Sequence, residues 1–152
     1  MHIVLYEPEI LSNTGNIGRS YAVTGSSLHL IEPLGFNTDD KSSKRAGLDY
    51  WKDINVYYYK NFKEFLEKNP QANCYFLSTK GEHLYSDIAY KEEDFLVFGP
   101  ETRGLPETLL ERYQEQVVKI PMGENLRSLN LSNAVAIVLY ESLRQNSFKG
   151  LK

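Results

Sequence analysis

Short apolar runs recur along the chain, each closed by proline, glycine or a polar cluster and followed by a stretch of helical character. Ile3-Val4-Leu5-Tyr6 comes first and is stopped by Pro8; Leu28-His29-Leu30-Ile31 comes second and is closed by Pro33 and Gly35. Ile54-Asn55-Val56-Tyr57-Tyr58, Cys74-Tyr75-Phe76-Leu77-Ser78, Phe95-Leu96-Val97-Phe98 and the set Val117, Val118, Ile120 bring the predicted strands to six. Helices are predicted between them. The first is entered through Ser12, Asn13 or Thr14 as its cap, short ones cover 39–46, 61–68 and 106–113, and the last is entered through Leu131, Ser132 and Asn133. The 39–46 segment places acid first and base last, which suits the helix dipole, and Pro106 falls near the first position of its helix. Residues 82–94 are polar and read as a loop with a minor element. Strands alternating with helices predict an α/β fold, a parallel sheet flanked by helices, as a single domain over residues 1–152.

The last helix stands out. Ala134-Val135-Ala136-Ile137-Val138-Leu139-Tyr140 is apolar on nearly every side, which predicts burial. Its mouth carries Glu124, Asn125, Arg127, Ser128, Asn130, Ser132 and Asn133. One reading is a capped helix with Ser128 or Asn130 as N-cap; the other is a ligand held against the helix N-terminus by a polar loop. Two further stretches favour the ligand. In Phe98-Gly99-Pro100-Glu101-Thr102-Arg103-Gly104 two glycines and a proline fix an unusual backbone path, so a ligand can approach the main chain. In Asn13-Thr14-Gly15-Asn16-Ile17-Gly18-Arg19 polar groups and an arginine could hold a phosphate or hydroxyl. Gly18 inside a helix costs about 1 kcal/mol relative to alanine, a hint of close packing. The polar clusters follow the first, fourth, fifth and sixth predicted strands, and ligands of parallel sheets bind at the strands' carboxyl ends. All four clusters can converge on one sheet edge.

Composition narrows the chemistry. The 152 residues suit one domain with a full core, and 41% hydrophobic and 24% charged residues are ordinary for a globular protein. The net charge of −3 lacks the basic excess of most nucleic-acid binders, although charge distribution matters more than the sum. Cys74 is the only cysteine, which excludes an internal disulfide and a cysteine metal cluster, and its flanks Tyr75 and Phe76 predict a buried strand thiol. His2, His29 and His83 are scattered without paired spacing, so no metal is expected. There is no Gly-x-Gly-x-x-Gly fingerprint, no P-loop and no Gly-x-Ser-x-Gly elbow. Without a membrane-length apolar run or signal-peptide pattern, a cytoplasmic protein with no membrane association is expected.

The three polar stretches, in this order and ending near the C-terminus, resemble the SPOUT superfamily of S-adenosyl-L-methionine-dependent RNA methyltransferases. The whole chain, from Ile3 through Ile31-Glu32-Pro33-Leu34-Gly35-Phe36, Arg45-Ala46-Gly47-Leu48-Asp49-Tyr50 and Thr79-Lys80-Gly81 to Tyr140-Glu141, is similar to the group that modifies the wobble ribose of tRNA, the 2'-O-methyltransferases of the TrmL type. The resemblance implies a deep C-terminal trefoil knot, a homodimer, S-adenosyl-L-methionine bound in the knot, and methyl transfer to the ribose 2'-hydroxyl of a cytidine or modified uridine in the tRNA anticodon stem-loop. Alternatives are the same chemistry on ribosomal RNA and a non-catalytic cofactor- or RNA-binding module.

Carried over by motif, the cofactor pocket has three walls: Leu77, Ser78 and Thr79; Gly99, Glu101 and Gly104; and Ile120, Met122, Ser128, Leu129 and Asn133. Arg19 is the implied activator of the substrate hydroxyl, with Asn13 and Asn133 as catalytic helpers. Ser132 is implied at the substrate, and Tyr140 at the dimer contact or the active-site floor. Lys41, Lys44 and Arg45, with Lys52, form the best local basic cluster for RNA. Gly18 and Leu129 depart from the group's pattern, which more often has a larger apolar residue and methionine there.

Overall fold

The structure, a computed structural model, describes residues 1–37, 52 and 54–152. The predicted 39–46 helix and the Lys41, Lys44 and Arg45 cluster lie outside the described residues. The described elements are β1 (His2–Tyr6), α1 (Leu11–Thr24), β2 (Ser27–Ile31), β3 (Val56–Tyr59), α2 (Phe62–Lys68), β4 (Cys74–Leu77), β5 (His83–Leu84), β6 (Phe95–Phe98), α3 (Glu107–Arg112), β7 (Val117–Lys119) and α4 (Leu131–Gln145). All strand pairs are parallel, in the order β3-β2-β1-β6-β4-β7-β5. The α/β parallel sheet is therefore as the patterning predicts, with a two-residue seventh strand inside the segment read as a loop.

Period-two alternation sorts the central strands onto two cores. Ile3, Leu5, Leu28, Leu30, Leu96 and Phe98 face α1 and α4, where Ile17, Tyr21, Val135 and Leu139 are fully buried. Val4, Ile31, Phe76 and Val97 face α2 and α3, around Phe65 and Leu110. Runs buried on both faces need continuous apolar sequence, which is why β1 and β6 read as plain hydrophobic runs. Each fully buried side chain of this size contributes about 1.5–3 kcal/mol relative to exposure.

Several boundaries differ from expectation, each for a local reason. α1 starts at Leu11 with Ile10 as N-cap, and no side chain of its own caps it, so Ser12, Asn13 and Thr14 lie inside the helix. Asn61 and Pro106 are N-caps, and the helices they precede start one residue later than predicted. Ile120 falls just beyond β7, before Pro121. α4 is not wrapped on every side: Ile137 and Tyr140 are 38% and 45% exposed, with no described residue covering that face.

His29, in the middle of β2, is buried under Tyr57, Tyr59, Phe65 and Phe95. Its ring nitrogens meet His2 Nδ1 at 3.1 Å and Tyr59 Oη at 2.8 Å. Burial, with the neighbouring His2, pushes its pKa down from 6.5 to about 3. Burial, with Asp94 nearby, pushes the Cys74 thiol up to about 12, as a buried strand thiol should be.

The His29 shift fixes a sign. The unfolded chain binds a proton at this group near pH 6.5 and the folded chain does not until about pH 3, so the stability it supports is complete above 6.5 and falls as pH drops through that window. The slope is at most about 1.4 kcal/mol per pH unit. Denaturant unfolding from pH 7 to pH 4 checks the slope. His29 ring resonances that stay neutral in shift to pH 5 confirm its origin, whereas titration near 6.5 contradicts it.

Candidate functional site

In a parallel sheet every strand delivers its following loop to the same edge, so neighbouring strands bring distant sequence together. Here β1, β6, β4 and β7 open onto one cavity of about 590 Å³. Its walls are Ile10 and Asn13 after β1, residues 77–80 after β4, residues 98–105 after β6, and Ile120, Met122 and residues 127–131 after β7. The convergence predicted from the four polar clusters is observed.

Two close backbone approaches shape the wall after β6. A Cβ on Gly99 would collide with the main chain of Gly104 and Leu105, and sit 2.8 Å from the Gly104 Cα. Gly104 has φ +67°, a conformation that L side chains rarely adopt. The loop thus folds back on itself and closes with a hydrogen bond from Gly104 N–H to Pro100 C=O at 2.9 Å. Behind the wall after β4, a Cβ on Gly81 would sit 2.8 Å from the Val118 carbonyl carbon, which holds that loop against β7.

Polar side chains tie the loops together. The Glu101 carboxylate accepts from the N–H groups of Glu9 at 2.7 Å and Ile10 at 3.0 Å, and from Asn13 Nδ2 at 3.4 Å. In return the Glu9 carboxylate accepts from the Thr102 N–H at 3.2 Å and hydroxyl at 2.7 Å, bonds that pull its pKa down. Arg103 donates to Glu7 at 2.7 Å, and Glu7 itself has a positive φ of 48°. A non-glycine residue in this region costs about 1–2 kcal/mol, so the β1–α1 turn is held in an unfavourable shape by its partners. Asn130 caps α4, its Oδ1 accepting from the N–H groups of Ser132 at 2.9 Å and Asn133 at 3.4 Å. Lys80 reaches across to Glu107 on α3.

Ten of the anticipated wall residues line the cavity: Leu77, Ser78, Thr79, Gly99, Glu101, Gly104, Ile120, Met122, Ser128 and Leu129, joined by Asn13. Asn133, Arg19, Ser132 and Tyr140 are not among its lining residues. Asn133, Arg19 and Tyr140 are exposed, with Arg19 on α1 and the other two on α4. Glu101 lines the cavity with three of its roughly four acceptor positions already engaged, so it first holds the chain that leads into α1. Sequence reasoning missed Ile10, Leu105, Leu110, Leu131 and Ala134 as wall residues, since nothing marks an apolar residue as lining a cavity rather than a core. Arg103, expected with Glu101 at the site edge, and Arg127 of the loop before α4 both line the cavity. Among the described residues no group of histidine, cysteine and carboxylate side chains could hold a metal, and no helix is long and apolar enough to cross a membrane.

The fold and site define a parallel α/β protein with a cofactor-sized cavity at the carboxyl ends of its central strands. Residues 1–140 match the SpoU rRNA Methylase family, and the chain belongs to that family. A protein of Escherichia coli strain K12 named tRNA (cytidine(34)-2'-O)-methyltransferase is 51% identical over 151 residues, covering 99% of this chain and 96% of its own. A solved structure concerned with the 2-OH methylation of C/U34 on tRNA superposes with a TM-score of 0.90 at 45% identity, covering 96% of this chain and 95% of that one. The SpoU methyltransferase AviRb from Streptomyces viridochromogenes, in complex with AdoMet, shares the fold with a TM-score of 0.82 at 21% identity, over 100% of this chain and 59% of its own.

The wall after β6 gives a direct test of the geometry. Gly99→Ala should destabilise the protein by about 1–3 kcal/mol, the range for overpacking a tight contact, and abolish measurable cofactor binding by calorimetry. A Gly99→Ala protein that melts and binds like wild type would show that the fold-back of residues 99–105 is not what shapes the cavity.

Proposed function

We propose that the chain transfers a methyl group from S-adenosyl-L-methionine to the ribose 2'-hydroxyl of the wobble nucleotide of tRNA, as a cytoplasmic single-domain enzyme acting as a homodimer. The observation that carries this reading is the cavity at the carboxyl ends of β1, β6, β4 and β7, in a chain alike over its full length to relatives named for that reaction. We read the path of residues 120–131 past the loops after β4 and β6 as the family's knot.

The residues present fit the cofactor. A cavity of about 590 Å³ lies within the range of small-molecule sites. Leu77, Ile120, Met122 and Leu129 would hold the apolar faces of an adenine, and the main chain of residues 99–105 and 128–129 would read its edges. When bound, S-adenosyl-L-methionine supplies an electrophilic methyl group on a sulfonium leaving group. The protein's own share is then to place the 2'-hydroxyl in line and to ease loss of its proton. Arg19 suits the second task, because a guanidinium donates fixed hydrogen bonds and carries a permanent charge that favours a developing oxyanion.

Arg19 and Asn133 are exposed on α1 and α4 rather than in the lining of their own chain's cavity. Val23, Ile137 and Tyr140 add exposed apolar surface to the same two helices, at 62%, 38% and 45% exposure. A second copy seated on α1 and α4 would cover that surface and bring these polar groups to a cavity. Sedimentation should therefore find an active dimer, and Ile137→Asp should yield monomers without activity. An active monomer would refute the assembly.

Labelled S-adenosyl-L-methionine with tRNA lacking the modification tests the reaction. Label is expected on the 2'-O-ribose of the wobble nucleotide, and label on ribosomal RNA alone would overturn the substrate. Arg19→Ala is expected to cut methyl transfer by about 100-fold or more, the scale of losing an oxyanion-stabilising group, while cofactor affinity by calorimetry stays at the wild-type value. Unchanged turnover would remove Arg19 from the mechanism.

A further inference from the structure

The cavity lining carries one carboxylate and three cations, and all but one of these charges are already engaged. Glu101 holds the main chain of Glu9 and Ile10. Arg103 donates to Glu7 at 2.7 Å, and Lys80 is paired with Glu107 on α3. Arg127 has neither a hydrogen bond nor an ion pair with any described residue. The helix N-terminus beside it is largely occupied too, since the N–H groups of Ser132 and Asn133 are taken by a side chain of the protein itself. Yet the chain at Arg127 is anchored on both sides. Just before it a turn closes, with the Leu126 N–H donating to the Gly123 C=O at 3.1 Å, and just after it α4 begins at Leu131 behind its cap. The backbone is held while the exposed guanidinium stays free.

A free guanidinium in a cavity wall is a site for an anion, and the cofactor brings one. S-adenosyl-L-methionine is an adenosine at one end and an amino acid at the other. Leu77, Ile120, Met122 and Leu129 account for the adenine, and no group assigned so far answers the carboxylate. We propose that Arg127 binds the carboxylate of the cofactor's amino-acid end, and so makes the site selective for the whole cofactor over adenosine compounds that lack that group. The proposal rests on the methyltransferase reading above. A guanidinium meets a carboxylate through two parallel N–H···O bonds, which a lysine ammonium does not reproduce. Arg127 directly precedes Ser128 and Leu129, so one short stretch of chain addresses both ends of the ligand. An RNA phosphate is the rival anion. The carboxylate is favoured because Arg127 belongs to the lining of the cofactor's own cavity.

Two ligands isolate the contact. S-adenosyl-L-homocysteine carries the carboxylate, and its decarboxylated analogue keeps the adenosine, the thioether and the ammonium but lacks it. Calorimetry measures both affinities for wild type, Arg127→Gln, Arg127→Lys and Lys80→Gln, with melting temperature as the check on folding. Arg127 is exposed and makes no bond within the protein, so its replacement leaves the fold intact. A bidentate pair at a cavity rim lies between an exposed ion pair and a buried one, which sets the expected effect at about tenfold in affinity. KM for tRNA is measured on the same proteins.

The expected result is that wild type prefers S-adenosyl-L-homocysteine to the decarboxylated analogue by about tenfold, that R127Q loses the preference by weakening the first ligand alone, and that R127K keeps part of it. Equal weakening of both ligands in R127Q overturns the proposal, since Arg127 would then be a plain wall contact. A preference that survives in R127Q and disappears in K80Q also overturns it and moves the role to Lys80. Unchanged affinity for both ligands in R127Q, with a raised KM for tRNA, overturns it in favour of an RNA phosphate. The functional reading fails differently. If wild type binds S-adenosyl-L-homocysteine but methylates no tRNA, that reading falls while the affinities still decide the role of Arg127; if wild type binds neither ligand, both fall together.

Discussion

One carboxylate holds the mouth of the cavity in shape. Glu101 stands on the loop after β6 and takes the N–H groups of Glu9 and Ile10, the two residues that lead into α1, a helix without a side-chain cap of its own. Glu9 returns the exchange to Thr102. These bonds span more than 90 residues of sequence yet join adjacent loops, because β1 and β6 are neighbours in the sheet. Charge-assisted bonds of this kind are about twice as strong as neutral ones. Their strength offsets the strained turn at Glu7 and the tight fold-back at Gly99.

From that clamp the site follows by packing. Gly99 lets residues 104–105 close over the end of β6, and Gly81 lets the loop after β4 lie on β7, so two walls stand on backbone-to-backbone contacts that a side chain would break. The third wall, residues 127–131, is fixed where Asn130 both caps α4 and meets Asn13. The apolar lining between these walls, from Leu77, Ile120, Met122 and Leu129, suits a flat heteroaromatic ligand, and Lys80, Arg103 and Arg127 also line the cavity.

The sheet was legible in the sequence because each buried strand is a short apolar run closed by punctuation, and parallel order followed from the intervening helices. The cavity walls were legible because their residues are polar or glycine directly after such strands. What escaped has a common cause. Asn13 reads as a helix cap by local preference, yet its amide is drawn to Glu101 and Asn130, partners 88 and 117 residues away. Asn130 read as a cap and is one, but its second bond has no local signature. Ile137 and Tyr140 read as buried because the pattern of α4 is apolar, and hydrophobicity alone does not say whether the chain itself or a second copy covers a face. His29 carried no signal beyond its place in an apolar strand, and its partners, the Tyr59 hydroxyl at 2.8 Å and His2, come from distant sequence.

The central claim is that one cavity, walled by three loops and closed by Glu101, receives the cofactor. A crystal structure with S-adenosyl-L-homocysteine tests it most directly. The account predicts the ligand between residues 77–80, 98–105 and 127–131, with the Glu101 bonds to Glu9 and Ile10 intact. Ligand bound elsewhere, or a Glu101 carboxylate swung away from α1 to hold it, would contradict the account.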